Sequence, residues 1–77
     1  MEKIKVGVIF GGQSTEHDVS VVSGSSVIKN LNKEKYEIYP IYISKDGEWF
    51  HYMKPVQDIE IFEIGEQPKE LEKISNE

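Results

Sequence analysis

The stretch Ile4-Lys-Val-Gly-Val-Ile-Phe-Gly-Gly-Gln-Ser-Thr-Glu-His-Asp-Val-Ser-Val-Val-Ser-Gly-Ser-Ser-Val-Ile-Lys-Asn-Leu31 decides the fold. A run rich in β-branched residues meets the pair Gly11-Gly12, and polar residues with capping chemistry then lead into apolar residues at roughly helical spacing. The reading is strand, tight turn, helix. Ile4 to Phe10 alternates at first and ends as a continuous apolar run, the pattern of a strand buried on both faces at the centre of a parallel sheet. Gly11 and Gly12 can take positive φ or admit a close neighbour. Ser14 or Thr15 is the expected N-cap, and Asp18, three residues after Thr15, makes a weak capping box. The helix is expected to begin near Glu16 and to turn Val19, Val22, Val27 and Leu31 toward the sheet. Gly24 costs a helix about 1 kcal/mol relative to alanine, and close packing on the sheet is the expected compensation. Such a turn leaves unpaired N–H groups at a helix start, where small anions and acidic side chains are favoured.

Working outward, Tyr36 to Ile43 is strand-like in its β-branched and aromatic content. Pro40 within it predicts an edge position or a locally unpaired N–H. Strand, helix, strand in this order implies a right-handed parallel crossover. Lys45-Asp46-Gly47 is a turn signal, and Glu48 to Tyr52 reads as a third strand paired with the second as a hairpin. After Pro55 the pattern weakens: Gln57 to Ile64 is a short strand or a helical turn, and Gln67 to Glu77 reads as a frayed tail. Three strands and one helix leave one face of the sheet uncovered, so the chain is expected to be a fragment of a larger protein or to pair with another surface.

Composition narrows the function classes. The 77 residues suffice for one small domain, and 38% hydrophobic with 30% charged residues argue against wholesale disorder. Without cysteine there is neither a disulfide framework nor a thiolate metal site. No apolar run approaches the roughly 18 residues of a membrane span and the first residues do not form a signal peptide, so no membrane is expected and a cytoplasmic location is the default. The net charge is −5 and every basic residue is lysine, which speaks against nucleic acid as a partner.

Gly7 to Ser14 has the spacing of a phosphate-binding loop, but Gln13 stands where the lysine must be and Gly7 lies inside the strand, so that reading fails. The dinucleotide fingerprint fails too, because no third glycine precedes the helix. Glu16 is the leading candidate. A carboxylate in the first helical turn is stabilised by the macrodipole whether or not it has a function, but beside a Gly-Gly turn at the carboxyl end of a parallel strand it can receive a cationic group such as an ammonium. His17 is expected to be exposed and Asp18 to be a capping residue; their adjacency cannot make a metal pair on one helix face. His51 has no second ligand at metal spacing, so no metal site is expected. Tyr36, Tyr39, Tyr42, Trp49, Phe50 and Tyr52 read as sheet core and cross-strand pairs.

The string Val8-Ile-Phe-Gly-Gly-Gln-Ser-Thr-Glu-His-Asp-Val-Ser20, with Ser23-Gly24 and Tyr39 to Phe50 after it, resembles the amino-terminal domain of the D-alanine–D-alanine ligases over about residues 3 to 52. The resemblance implies an α/β, Rossmann-like (pre-ATP-grasp) domain in residues 1–55, three-layered or partly two-layered, with a mainly parallel sheet, incomplete here. Residues 56–77 would be a weakly structured extension or the truncated start of a family insert. It also implies a cytoplasmic, homodimeric parent enzyme that joins two D-alanines for peptidoglycan with ATP and magnesium, whose sites lie outside this chain, so that the chain alone binds neither and is inactive. By position, Glu16 matches the carboxylate that engages the ammonium of the first D-alanine, the one catalytic residue expected here. Val19 matches the apolar residue near that substrate's methyl group, and Gly11 and Gly12 shape the substrate-binding turn. The other partners implied are the ATP-grasp domains of the same chain. A D-alanine–D-lactate ligase, or a non-catalytic half domain binding a small ligand or a protein, are the alternatives.

Overall fold

A computed structural model describes residues 2–74 of the chain. The β-branched run Ile4–Gly11 forms β1, His17–Asn30 forms α1, Tyr36–Ile43 forms β2, Trp49–Tyr52 forms β3 and Leu71–Lys73 forms β4, with a 3-10 turn at Val56–Asp58 before β4. The sheet order is β1-β2-β3-β4. β1 and β2 are parallel over eight registered pairs, from Ile4↔Tyr36 to Gly11↔Ile43. β2–β3 and β3–β4 are antiparallel over three pairs each, so the sheet of this α/β unit is mixed.

One expected placement is overturned. β1 is an edge strand among the described residues, not a central one. Its even-numbered residues face α1 and end in buried Phe10, whereas Ile9 on the other side is 55% exposed. The uncovered face is real: Ile9, Tyr39 and Trp49 stand exposed on it, so the expected core role of Tyr39 and Trp49 gives way to a surface one. Pro40 is accommodated by the second of its two options. The carbonyls of Lys35 and Ile43 accept from Ile4 and Gly12 of the β1 side, so odd-numbered residues of β2 bond toward β1. Pro40 turns its nitrogen the other way, where pairing with β3 stops at Ile41↔His51.

The helix presents a largely different stripe from the expected one, of which Leu31 packs against the core. Val21, Gly24, Ser25 and Ile28 are buried, joined by His17, while Val19 and Val27 are half exposed. Spacings of four, three, one and three make this a true helical stripe, but two of its inner members are small. Phe10 occupies the room they leave: a Cβ on Gly24 would lie 2.4 Å from the Phe10 Cβ, which is the close packing the glycine predicts.

The frayed tail is also overturned where it is described; residues 75–77 lie outside the described residues. Ile59 and Phe62 complete a core of Phe10, Val21, Ile28, Ile38, Tyr42 and Tyr52. β4 then supplies the hydrogen-bonding partner of β3. Ser25, 1% exposed, joins helix to tail: its hydroxyl donates to the Val22 carbonyl at 2.9 Å and accepts from the Phe62 N–H at 2.8 Å. Ser25→Ala leaves that buried N–H without a partner, so a loss of about 1.5 kcal/mol in unfolding free energy is expected from urea denaturation. Ser26→Ala, on a less buried position, is the comparison and should move little.

Candidate functional site

Where β1 ends, Gly11 and Gly12 both take positive φ, +92° and +108°. Gly11 has a second reason to be glycine, because a Cβ there would sit 2.3 Å from the Ile43 carbonyl oxygen. The Gly12 N–H donates to that same oxygen at 2.8 Å, which carries the β1–β2 ladder one step past the strand. Two helix side chains hold the pair: the Ser20 hydroxyl accepts from the Gly11 N–H at 3.0 Å, and the His17 ring meets the Gly12 carbonyl at 2.6 Å through Nδ1. A carbonyl only accepts, so Nδ1 carries the proton.

His17 corrects the sequence reading most sharply. Expected exposed, it is 2% exposed and has partners on three sides. Its Nε2, the acceptor in this tautomer, lies 3.1 Å from the Tyr42 hydroxyl, the one neighbouring group that can donate to it; Gln67 Oε1, itself an acceptor, stands 3.0 Å from both Nε2 and that hydroxyl. The Gln67 amide is oriented by its other end, where Nε2 donates to Asp18 Oδ1 at 3.0 Å. Burial, and then the charge of Asp18, push the Tyr42 phenol above its ordinary pKa, so it stays a neutral donor. Asp18 does not cap the helix; it receives Gln67 and lies 3.8 Å from the Lys45 ammonium of the β2–β3 turn. Gln67, placed in the frayed tail by the sequence reading, is thus a member of the cluster. Had the stripe been anchored on Val21 and Ile28, His17 would have fallen on it.

Glu16 stands at the N-cap of α1, with φ −92° and ψ 14°, and makes no capping hydrogen bond through its side chain. Ser14 does the local work, its hydroxyl accepting from the Glu16 N–H at 3.1 Å and its carbonyl from the His17 N–H at 3.1 Å. The exposed Glu16 carboxylate therefore sits at the positive end of a 14-residue helix without being used to close it. Val19, three residues on and half exposed, shares that side of the first turn. Gly11, Gly12, Glu16 and Val19 are thus brought into one neighbourhood, on an open surface of this chain. A cleft of about 490 Å³ between Tyr52, Phe62 and Pro68 is lined by none of these four, though Gln67, the partner of Asp18, forms part of its wall.

A family model described as the D-ala D-ala ligase N-terminus matches residues 5–76. The chain belongs to this ligase family. It is 59% identical over 58 residues to the D-alanine--D-alanine ligase of Clostridium novyi, covering 75% of this chain and 17% of that one. To the enzyme of the same name from a Thermoanaerobacter species it is 54% identical over 70 residues, 91% of this chain and 19% of the relative. Among solved structures, the VanG D-Ala:D-Ser ligase of Enterococcus faecalis superposes with a TM-score of 0.67 at 46% identity, over 75% of this chain and 17% of that one. The D-alanine-D-alanine ligase of Coxiella burnetii gives 0.66 at 38% identity, over 71% and 16%. The chain therefore spans about a sixth of the length of the ligases it matches. No helix among the described residues is long and apolar enough to cross a membrane.

Proposed function

We propose that this chain is the substrate-positioning amino-terminal domain of a cytoplasmic, ATP-dependent D-alanine–D-alanine ligase, in which Glu16 receives the ammonium of the first D-alanine. The observation that carries this reading is the Glu16 carboxylate, exposed at a helix N-terminus beside the Gly11-Gly12 turn and not engaged in capping. A helix N-terminus is a place where negative charge is favoured, and a carboxylate is the group that reads an ammonium. Val19 on the same side offers a small apolar wall beside which a methyl group is tolerated. Fixing the amine in this way serves the reaction by orientation, since the bond to be made is at the carboxyl end of that substrate.

The remaining walls of such a site belong to the parts of the ligases that this chain does not span. ATP and magnesium belong there as well, in the proposed homodimeric parent that makes the peptidoglycan dipeptide. The residues here do not fit those groups: the Gly11-Gly12 turn carries no lysine, and no three potential metal ligands cluster among the described residues. No step through either is assigned to this chain. The 46% identity to a D-Ala:D-Ser ligase favours a second reading of the second amino acid only, because that specificity lies outside the first-substrate site.

Glu16→Gln in the full-length protein tests the assignment. It keeps shape and removes charge, so the KM for the first D-alanine should rise at least tenfold, about 1.4 kcal/mol, with the KM for ATP within twofold. An unchanged KM for the first D-alanine sinks the reading.

A further inference from the structure

Resting on the assignment of Glu16 above, we propose that His17 is a positioning residue of the ligase: its buried ring fixes the turn of residues 12–16 so that the Glu16 carboxylate is presented in one place. The turn has no apolar anchor of its own, since Gln13, Ser14, Thr15 and Glu16 are all exposed. Ser14 organises only its own vicinity. The side-chain bond that closes the whole turn runs from His17 Nδ1 to the Gly12 carbonyl, 2.6 Å across the turn's two ends. The ring in turn is held from behind by the Tyr42 hydroxyl of β2, which donates to Nε2, while Gln67, fifty residues away, lies against both and ties down Asp18 of the same helix turn through its amide. His17 touches no substrate in this arrangement. It acts by removing conformations of the turn before the ammonium arrives, so that ordering the turn does not have to be repeated at each binding event.

The test uses steady-state kinetics of the full-length protein. His17→Gln keeps a polar group near Gln67 but withdraws the donor from Gly12; His17→Asn places its Nδ2 where Nδ1 was and keeps that donor. For His17→Gln the KM for the first D-alanine should rise about tenfold, with kcat and the KM for ATP within twofold. His17→Asn should bring the first-substrate KM back to within threefold of the parent. Tyr42→Phe, which removes the donor to Nε2 without touching the turn, should give a smaller rise in the same constant.

If His17→Gln leaves that KM unchanged while Glu16→Gln raises it, the inference falls and the role of Glu16 stands. If both are silent, the role of Glu16 falls and takes this inference with it. A parallel loss of kcat and ATP affinity, or a His17→Asn variant as impaired as His17→Gln, marks a merely structural histidine and overturns the proposal. Should His17→Gln fail to fold, Tyr42→Phe decides: a selective rise supports the proposal and an unchanged KM overturns it.

Discussion

Gly11→Ala is expected to lower the unfolding free energy by about 3 kcal/mol, the sum of a strained backbone and an overpacked contact. The strain arises because φ at Gly11 is +92°, a region that an L side chain rarely adopts. The contact arises because the new Cβ would lie 2.3 Å from the Ile43 carbonyl oxygen, a backbone atom of the neighbouring strand that has no rotamer with which to escape. That oxygen also accepts from Gly12, so any retreat of Ile43 pulls on the turn carrying Glu16. Gly12→Ala separates the two causes. Its φ is +108°, yet nothing lies within 4 Å of the place its methyl would take, so strain alone applies and about 1–2 kcal/mol should be lost. Urea midpoints of the two variants measure the difference. Equal losses would mean that the Ile43 contact contributes nothing.

What the sequence made legible follows from which residues carry local information. A β-branched run stopped by two glycines, then capping residues and a second β-branched run, define strand, turn, helix and strand without reference to anything distant. The position of Glu16 at the helix start is readable for the same reason. The helix face was not readable, because Val19, Val22 and Val27 are as apolar as Val21 and hydropathy does not choose between the faces, whereas the sheet takes Val21 and Ile28 together with Gly24, Ser25 and His17. Those three are buried for reasons local pattern does not contain: the Phe10 ring needs room, the Phe62 N–H needs an acceptor, and the Gly12 carbonyl needs a donor. The role of Gln67 rests on a partner fifty residues earlier. β4 has Leu71 as its one apolar residue, and forms because β3 otherwise exposes an unpaired edge.

Gly24→Ala is the second large effect, and its sign is the informative part. Helix propensity alone predicts a gain of about 1 kcal/mol, since alanine restricts the unfolded chain and suits the helix interior. Packing opposes it. A Cβ at Gly24 would lie 2.4 Å from the Phe10 Cβ and 2.8 Å from its Cγ, the root of the side chain rather than its movable end. Phe10 cannot swing aside freely, because its ring is packed 5.7 Å from Tyr42 and 6.2 Å from Tyr52, centroid to centroid. The helix must therefore lift from β1, carrying Val21 and Ile28 away from the core. Overpacking of this kind costs typically 1–3 kcal/mol and here falls at the upper end, so a net loss of about 2 kcal/mol is expected. Ser23→Ala, exposed on the same helix, reports the propensity gain alone and should be slightly stabilising. Phe10→Leu in the Gly24→Ala background should recover part of the loss, because a leucine, smaller and no longer wedged as a ring between Tyr42 and Tyr52, can give way to the new methyl; the coupling is read from a double-mutant cycle. A Gly24→Ala variant as stable as Ser23→Ala would show that the helix is free to move off the sheet, and the close seating that holds the helix start against the glycine turn would have to be given up.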